Sequence, residues 1–221
     1  MSLTWGRAIG QFMLAVVVVA GCSGGEPLPD GKQVLQQAAA AMRGVQSAGF
    51  AIRSEGNPPI SVKSADGKLL RSGDAEGTLR LDQSGQQVEM AFTLVGDTVY
   101  FKGATGGYQK LPRAAVLAVY DPSAILDPRR GVVKLLDSAA EPKTEEREKV
   151  AGQESLRVKA TLPKSVVPAL VPGVTTDVEG QLWVAARDHR VLKVRLPIQK
   201  GAVTVTFSDF NQNFVITAPK G

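Results

Sequence analysis

The sequence predicts an α+β protein in which one large antiparallel sheet curls and helices cover its concave face. From residue 50 onward, apolar residues alternate with polar ones over roughly ten segments, as in strands with one buried face. Tight-turn residues separate many of these segments, which is typical of hairpins. Few segments have helical spacing, and an open sheet of this size tends to curl.

The first predicted element is an amphipathic helix that starts at Asp30, as its N-cap, and runs to about Ser47. Gly49 is expected to end it. Its apolar residues recur at the three- and four-residue spacing of one helix face, so the helix should cover another apolar surface. These residues are Val34, Leu35, Ala38, Ala39, Met42 and Val45.

Residues 50–111 predict an antiparallel meander with turns at Asp66-Gly67 and Gly96-Asp97 and a hairpin tip at 103–107. The predicted strands cover residues 50–55, 60–64, 68–71, 77–82, 87–95, 98–102 and 108–111. In two of these strands a full apolar face is visible. Its members are Leu79 and Leu81 in the first strand and Val88, Met90, Phe92 and Leu94 in the second.

Residues 112–138 interrupt the meander. Asp121-Pro122 and Asp127-Pro128 each combine a capping residue with a proline suited to the first helical position. We expect short helices over residues 114–119 and 129–138.

A second set of strands follows. A charged segment at residues 143–150 suits a solvated edge strand, and residues 163–172 suit one helical turn. The other predicted strands cover 154–162, 178–186, 191–198, 202–207 and a last one near 214–217. Apolar faces include Leu156 and Val158 in one strand and Leu182 and Val184 in another, with Trp183 on the opposite side.

The amino-terminal residues predict export. The apolar run at residues 12–20 follows a single cation, Arg7, and is shorter than the roughly 20 residues that span a bilayer. Val19-Ala20-Gly21-Cys22 resembles the lipobox of bacterial lipoproteins, in which the cysteine receives a diacylglyceryl group and the signal is cleaved before it. We therefore expect a signal peptide at 1–21, a lipidated tether at 22–29 and a folded domain at 30–221.

Composition argues against several classes of function. The net charge of +5 is spread without a long basic block, so a nucleic-acid partner is not expected. Lipidation of Cys22, the one cysteine, would leave no thiol nucleophile or disulfide. The one histidine, His189, falls in a predicted hairpin turn, and the chain has no Gly-x-Ser-x-Gly motif. We predict no enzyme, no metal and no cofactor beyond the diacylglyceryl and N-acyl groups of Cys22.

Sequence blocks along most of the chain carry a resemblance to a known family. After the lipobox come Leu28-Pro29-Asp30, residues 42–48, Val119-Tyr120-Asp121-Pro122, Ile125-Leu126-Asp127-Pro128, residues 131–136, residues 150–154, Leu182-Trp183-Val184 and residues 205–210. Their order and spacing resemble the LppX/LprA/LprF/LprG lipoproteins of mycobacteria and their relatives. The two Asp-Pro pairs are the most specific blocks.

The resemblance implies a half-barrel sheet, helices on its concave side and an apolar cavity between them. It implies that residues 30–221 bind multi-acylated lipids or glycolipids, such as triacylated phosphatidylinositol mannosides, lipoarabinomannan or phthiocerol diesters. Such a protein would help carry them across the cell envelope while its lipid anchor holds it on the outer face of the cell membrane. An envelope lipid exporter is a further implied partner.

The apolar strand faces have two interpretations. Alternation alone favours a solidly packed core, and the chain would then be a non-catalytic scaffold lipoprotein that contacts an envelope exporter. The resemblance favours a cavity instead, in which each buried CH₂ of an acyl chain gains about 0.8 kcal/mol. The candidate cavity residues are Leu79, Leu81, Val88, Met90, Phe92, Leu94, Leu156, Val158, Leu182 and Val184.

Replacing Cys22 tests the predicted anchor. Cys22→Ala removes the only thiol that could accept a diacylglyceryl group, so we expect the variant to lose membrane retention while it keeps its fold. Cell fractionation measures retention, and circular dichroism of the purified protein measures folding. A variant that stays tightly bound to membranes would show that Cys22 is not the anchor.

Overall fold

The computed structural model describes Ser2 and residues 26–83, 85–117 and 124–220. Cys22, the cleavage site before it, the tether up to Gly25 and the Asp121-Pro122 pair lie outside these residues, so the predictions made for them remain predictions. No helix in the described ranges is long and apolar enough to cross a membrane.

Helices and strands follow one another along the described chain in two groups. The first group is α1 Gly31–Arg43, β1 Ser47–Gly56, β2 Val62–Leu70, β3 Ala75–Gln83, β4 Gln86–Val95, β5 Thr98–Lys102, β6 Gln109–Pro112 and α2 Arg113–Leu117. The second is α3 Val132–Ser138, β7 Ala140–Val150, β8 Gln153–Leu162, a 3₁₀ turn at Val167–Ala169, β9 Val178–Ala185, β10 Val191–Ile198 and β11 Gly201–Ser208. Since all of these elements lie after residue 30, a protein that starts at residue 23 retains them.

The strands form one antiparallel sheet in the order β6-β5-β4-β3-β2-β1-β11-β10-β9-β8-β7. Each group of strands is a meander, and the first and last strands meet in the middle, where Ile52 lies opposite Val205. This arrangement confirms the predicted fold class, a large curled antiparallel sheet with a few helices. The charged segment predicted as an edge is β7, which is an edge strand of the sheet.

Strand register gives the sheet one continuous apolar face. Leu79 lies opposite Ala65 on one side and Met90 on the other. On the other half of the sheet, Leu156 lies opposite Val184, and Val158 lies opposite Leu182. Because side chains alternate between the two faces of a strand, these pairs extend one apolar surface across both meanders.

Helix α1 begins where the sequence predicts and ends earlier. The Asp30 carboxylate accepts a hydrogen bond from the Gln33 backbone N–H at 3.0 Å, as an N-cap does. The predicted end at Gly49 is wrong, because the helix ends at Arg43 with Gly44 as its C-cap. Gly49 belongs to β1, where it lies between Lys68 of β2 and Ser208 of β11.

Two helices cover one half of the apolar face. The buried stripe of α1 and the apolar side of α3 pack against each other, and α1 also contacts β7, β8 and β9. The core beneath them contains side chains that are almost completely buried, namely Met42, Leu135, Leu162, Leu182 and Leu196. Burial of one such side chain is worth about 1.5–3 kcal/mol, so this half of the sheet holds much of the hydrophobic core.

The turn predicted at Asp66-Gly67 is wrong, because β2 runs straight through both residues. Gly67 lies between Phe50 of β1 and Gly77 of β3. A Cβ on Gly67 would collide with the Glu76 carbonyl and with ring carbons of Phe50. The glycine therefore serves a close approach of neighbouring strands and an aromatic ring, rather than a reversal of the chain.

The strand predicted near residues 214–217 is also absent. The chain leaves β11 after Ser208, and the Asn211 N–H then donates to the Ser47 carbonyl at 2.9 Å. The Ser47 hydroxyl in turn donates to the Gln212 carbonyl at 2.6 Å. Since β11 already pairs with β1 and β10, no free edge is left beside it for another strand.

Gly67→Ala tests the close approach at the centre of the first meander. We expect it to lower the free energy of unfolding by roughly 1–3 kcal/mol, because the new methyl group meets backbone and ring atoms that cannot move independently. Gly107→Ala is the control, since a Cβ at Gly107 would have no described atom within 4 Å. Urea unfolding measures both, and equal stability of the two variants would contradict the packing described for Gly67.

Candidate functional site

An apolar pocket of about 390 Å³ lies on the half of the sheet formed by β1–β5. Its volume falls within the roughly 300–1,000 Å³ typical of ligand pockets. All the residues of its wall are hydrophobic. They are Phe50, Ile52, Val62, Ala65, Leu69, Ala75, Leu79, Leu81, Met90, Phe92, Leu94, Val99, Phe101 and Ile125.

The pocket wall results from the alternation of side chains along β1–β5 and from the register in which these strands pair. Five neighbouring strands contribute inward residues at every second position, except where the register of β2 shifts between Val62 and Ser64, and the antiparallel pairs bring them into rows across the sheet. One such row joins Gly77, Phe92 and Phe101, and another joins Ala75, Leu94 and Val99. Small and large side chains thus share a row, which leaves space above the small ones.

The pocket is closed at one end and accessible at the other. Ala75, Leu94 and Val99 at the closed end are at most 2% exposed. At the opposite end, Leu81 and Met90 are only half-buried and lie beside the β3–β4 hairpin. Within the described residues, the hairpin end of the wall is therefore less buried than the end at Ala75, Leu94 and Val99.

Arg113, at the start of α2, links several turns near the closed end. Its guanidinium donates to the Gly96 carbonyl at 3.0 Å and lies 3.5 Å from the Asp74 carboxylate. Its backbone N–H donates to the Asp97 carbonyl at 2.9 Å. These contacts tie the β4–β5 turn to the loop between β2 and β3, so the closed end has its own polar support outside the apolar wall.

Ile125 reaches the pocket from the segment between α2 and α3, and a tight turn around Asp127 holds it. The Asp127 side chain accepts from the Arg129 N–H at 2.8 Å and from the Arg130 guanidinium at 2.9 Å. The Val132 N–H donates to the Ile125 carbonyl at 3.0 Å. The helix predicted from residue 129 is therefore too long, because 127–131 form this turn and α3 begins at Val132.

Hydrogen bonds to the carboxylate lower the pKa of Asp127 below its usual value of 3.8. The main cause is the backbone N–H of Arg129, which favours the charged form. Partial burial acts in the opposite direction, and the Arg130 guanidinium adds to the lowering. The ionised Asp127 thus stabilises the turn that presents Ile125.

The structure divides the ten predicted cavity residues between two environments. Leu79, Leu81, Met90, Phe92 and Leu94 line the pocket. Val88 lies opposite Leu81 on the same sheet face, near the accessible end but outside the wall. The remaining four, Leu156, Val158, Leu182 and Val184, belong to the packed core on the other half of the sheet. Whether any of the ten contacts a lipid remains a prediction.

Sequence reasoning missed most of the β1, β2 and β5 contribution to the wall. Phe50 and Ile52 alternate in β1, and Val99 and Phe101 alternate in β5, so the period-two signal was present there. Ile125 carried no such signal, because it lies in a turn whose position depends on the tertiary fold.

The other candidate groups do not form a second chemical site in the described residues. No cluster of three or more His, Cys, Asp or Glu side chains that could hold a metal ion occurs there. His189 lies in the predicted β9–β10 turn with φ 59° and is half-buried rather than freely solvated. Its Nδ1 is buried and has no hydrogen-bond partner among the described residues.

Comparisons with known proteins agree with this architecture. The sequence profile of the LppX_LprAFG lipoprotein family matches residues 30–216. The chain is 31% identical to the lipoarabinomannan carrier protein LprG of Mycolicibacterium smegmatis over 93% of this chain and 92% of that protein. It is 24% identical to the putative diacylated glycolipid transporter LprF of Mycobacterium bovis over 94% and 88% of the two chains. The crystal structure of LprF from Mycobacterium bovis superposes with a TM-score of 0.79, at 22% identity, over 89% of this chain and 100% of that chain.

Asp127→Asn tests the support of Ile125. We expect the free energy of unfolding at neutral pH to fall by about 1 kcal/mol, because charged acceptors form stronger hydrogen bonds than neutral ones. A lowered folded pKa stabilises the fold above the unfolded value of 3.8, and this contribution is lost as the pH falls through the folded pKa. The difference between parent and variant should therefore shrink in acid. Asp97→Asn makes the same charge change in an exposed turn, and an equal effect there would contradict the role of Asp127.

Proposed function

The chain belongs to the LppX_LprAFG lipoprotein family, and on this basis we propose that it is a membrane-anchored carrier of multi-acylated lipids or glycolipids. The acyl chains would occupy the pocket on β1–β5, and the protein would help move the lipid across the cell envelope. The observation that carries this proposal is the pocket wall, which is made of hydrophobic residues alone. The carrier and transporter functions named for LprG and LprF support a glycolipid cargo.

The chemistry of the wall suits acyl chains better than polar ligands. A buried polar group needs a hydrogen-bond partner, and the side chains of this wall supply none. An acyl chain needs only apolar contact, and each CH₂ removed from water gains about 0.8 kcal/mol. Apolar cavities can also remain dry, so a chain that enters such a pocket need not displace bound water.

The two ends of the pocket differ in exposure, and this difference would set the orientation of a bound lipid. Chain ends would lie near Ala75, Leu94 and Val99, where the pocket is closed. A glycan or phosphate headgroup must stay in water, so it would lie at the β3–β4 hairpin end, beyond Leu81. Lys63 and Asp82 lie on the outer face near this end as an ion pair at 3.6 Å, so the surroundings of the opening are polar.

The anchor belongs to the same proposal. Residues 1–21 would be removed as a signal peptide, Cys22 would carry diacylglyceryl and N-acyl groups, and residues 22–29 would connect them to the domain at 30–221. At least two chains hold a protein stably on a bilayer, whereas one chain holds it only marginally. The Glu26 carboxylate lies 3.3 Å from the Arg147 guanidinium, so the residues that lead into the domain lie near the edge strand β7.

Leu79→Trp tests whether the pocket binds lipid. Leu79 is half-buried in the pocket wall, so we expect the indole to enter empty space and to change the free energy of unfolding by less than about 0.5 kcal/mol. The indole should displace acyl chain, and the amount of lipid bound per protein should fall. Mass spectrometry of an organic extract from protein that starts at residue 23 measures the lipid, and urea unfolding measures stability.

Val184→Trp is the matched control in the packed half of the sheet. Val184 has no exposed surface, so the larger residue should overpack the core and cost roughly 1–3 kcal/mol or more. Parent protein that co-purifies with no acylated lipid and takes up none would exclude the carrier function. Leu79→Trp with an unchanged amount of bound lipid would show that the cargo lies elsewhere.

A further inference from the structure

The outer face of β5, β6 and the residue before β6 carries two lysine–tyrosine pairs. Lys102 lies over the Tyr108 ring, with its Nζ 5.6 Å from the ring centroid, and Lys110 lies over Tyr100 at the same distance. Both lysines are exposed, and neither forms an ion pair with any described residue. We call these four residues the Lys-Tyr patch.

On the neighbouring strands β1–β3, by contrast, outward-facing cations form ion pairs with carboxylates of the adjacent strand. Arg53 of β1 pairs with Asp66 of β2 at 2.6 Å, and Lys68 of β2 pairs with Glu76 of β3 at 3.3 Å. Arg80 of β3 likewise pairs with a carboxylate of β4. By contrast, residues 98–117 contain Lys102, Lys110 and Arg113 and no acidic residue. Arg113 is largely buried against Asp74, so the exposed cations of this segment are the two lysines, which have no ion-pair partner among the residues that the structure describes.

From this chemistry we infer that the Lys-Tyr patch docks the protein on the surface of an anionic lipid bilayer. Tyrosine is suited to the boundary between water and hydrocarbon, because its ring is apolar and its hydroxyl is polar. Lysine is attracted to the negative potential of anionic headgroups, and each lysine near such a surface strengthens binding by about fivefold. The charge of the patch is thus complementary to an anionic bilayer.

The position of the patch connects it with the pocket. Val99 and Phe101 of β5 line the pocket, and Tyr100 and Lys102 alternate with them on the opposite face. Leu111 of β6 lies opposite Val99 on the pocket side and is 45% exposed, although it is a large apolar residue. Docking at this edge would place Leu111 and the adjacent part of the pocket wall formed by β5 beside the bilayer surface, at the end of the pocket that holds the chain ends.

The patch is separate from the predicted anchor. Glu26 and Gly31 lie against β7, at the opposite edge of the sheet, as the Arg147–Glu26 ion pair and the close packing of Gly31 on Pro142 show. A bilayer contact at β6 would therefore not follow from the tether itself. This inference deepens the proposed carrier function, because it assigns the surface through which the carrier meets the lipid reservoir.

Vesicle flotation tests the inference with protein that starts at residue 23 and has no lipid anchor. We expect this protein to float with phosphatidylcholine vesicles that contain phosphatidylglycerol, and to remain unbound with phosphatidylcholine alone. The double variant Lys102→Gln, Lys110→Gln should bind the anionic vesicles at least tenfold more weakly, as loss of two charges predicts. Added salt should weaken parent binding in the same way, because the Debye length shortens.

Lys149→Gln combined with Lys159→Gln is the matched control. It removes the same net charge from β7 and β8, where both lysines pair with carboxylates, and it should leave flotation unchanged. Equal loss in the two double variants would show that net charge, and not the patch, drives binding. Parent protein that ignores anionic vesicles would overturn the inference outright, and circular dichroism identifies any variant that fails to fold.

Lipid extraction separates this inference from the carrier proposal. Parent protein that co-purifies with acylated lipid but binds no anionic vesicle would retain the carrier function and exclude the docking surface. Patch-dependent flotation by a protein that binds no acylated lipid would retain the docking surface and exclude the carrier function.

Discussion

The pairing of β1 with β11 is the constraint on which the rest of this structure depends. It joins the first and last of the described strands, and the Thr206 hydroxyl donates to the Ala51 carbonyl across a sequence separation of 155 residues. Without it the two meanders would be separate sheets, each with an unpaired apolar-faced edge. Such non-local pairing carries an entropic cost, because the chain must close a long loop to form it. The single sheet therefore requires strands from both ends of the described domain.

The two halves joined at this pair use the same apolar face in different ways. On β7–β9, α1 and α3 supply the second layer that a half-buried sheet requires, and buried apolar side chains fill the space between them and the sheet. On β1–β5 the described helices do not form such a layer, and Ile125 is the contribution of the interstrand segment to the pocket wall. The packed half can hold the sheet in shape while the other half stays available to a ligand. Val184 and Leu79 therefore share the same alternating strand pattern, but Val184 lies in the packed core and Leu79 lies in the pocket wall.

The sequence predicted which face of the sheet a side chain lies on more accurately than which elements pack against that face. Alternation places Leu79, Leu81 and Met90 on the inner face, because facing depends only on the two-residue period of a strand. It could not separate Leu79 from Val184, since packing depends on where α1 and α3 come to rest. Local turn signals failed for a related reason. Asp66-Gly67 is a good turn sequence, but the close approach of Phe50 and Gly77 gives that glycine another use.

The edges of an open sheet are exposed backbone, and this protein makes both unsuitable for further strand pairing. The edge strand β7 is interrupted by two register shifts and carries charges of both signs, while β6 is four residues long and ends at Pro112. Bulges, charges and proline are known protections against edge-to-edge association. Edges that do not pair remain free for other contacts. Eleven strands about 4.8 Å apart place the two edges roughly 50 Å from one another along the curved sheet. A tether that starts near β7 and a bilayer contact at β6 would therefore act from opposite sides of the pocket, so that the β6 edge could meet lipid without being held against the anchor.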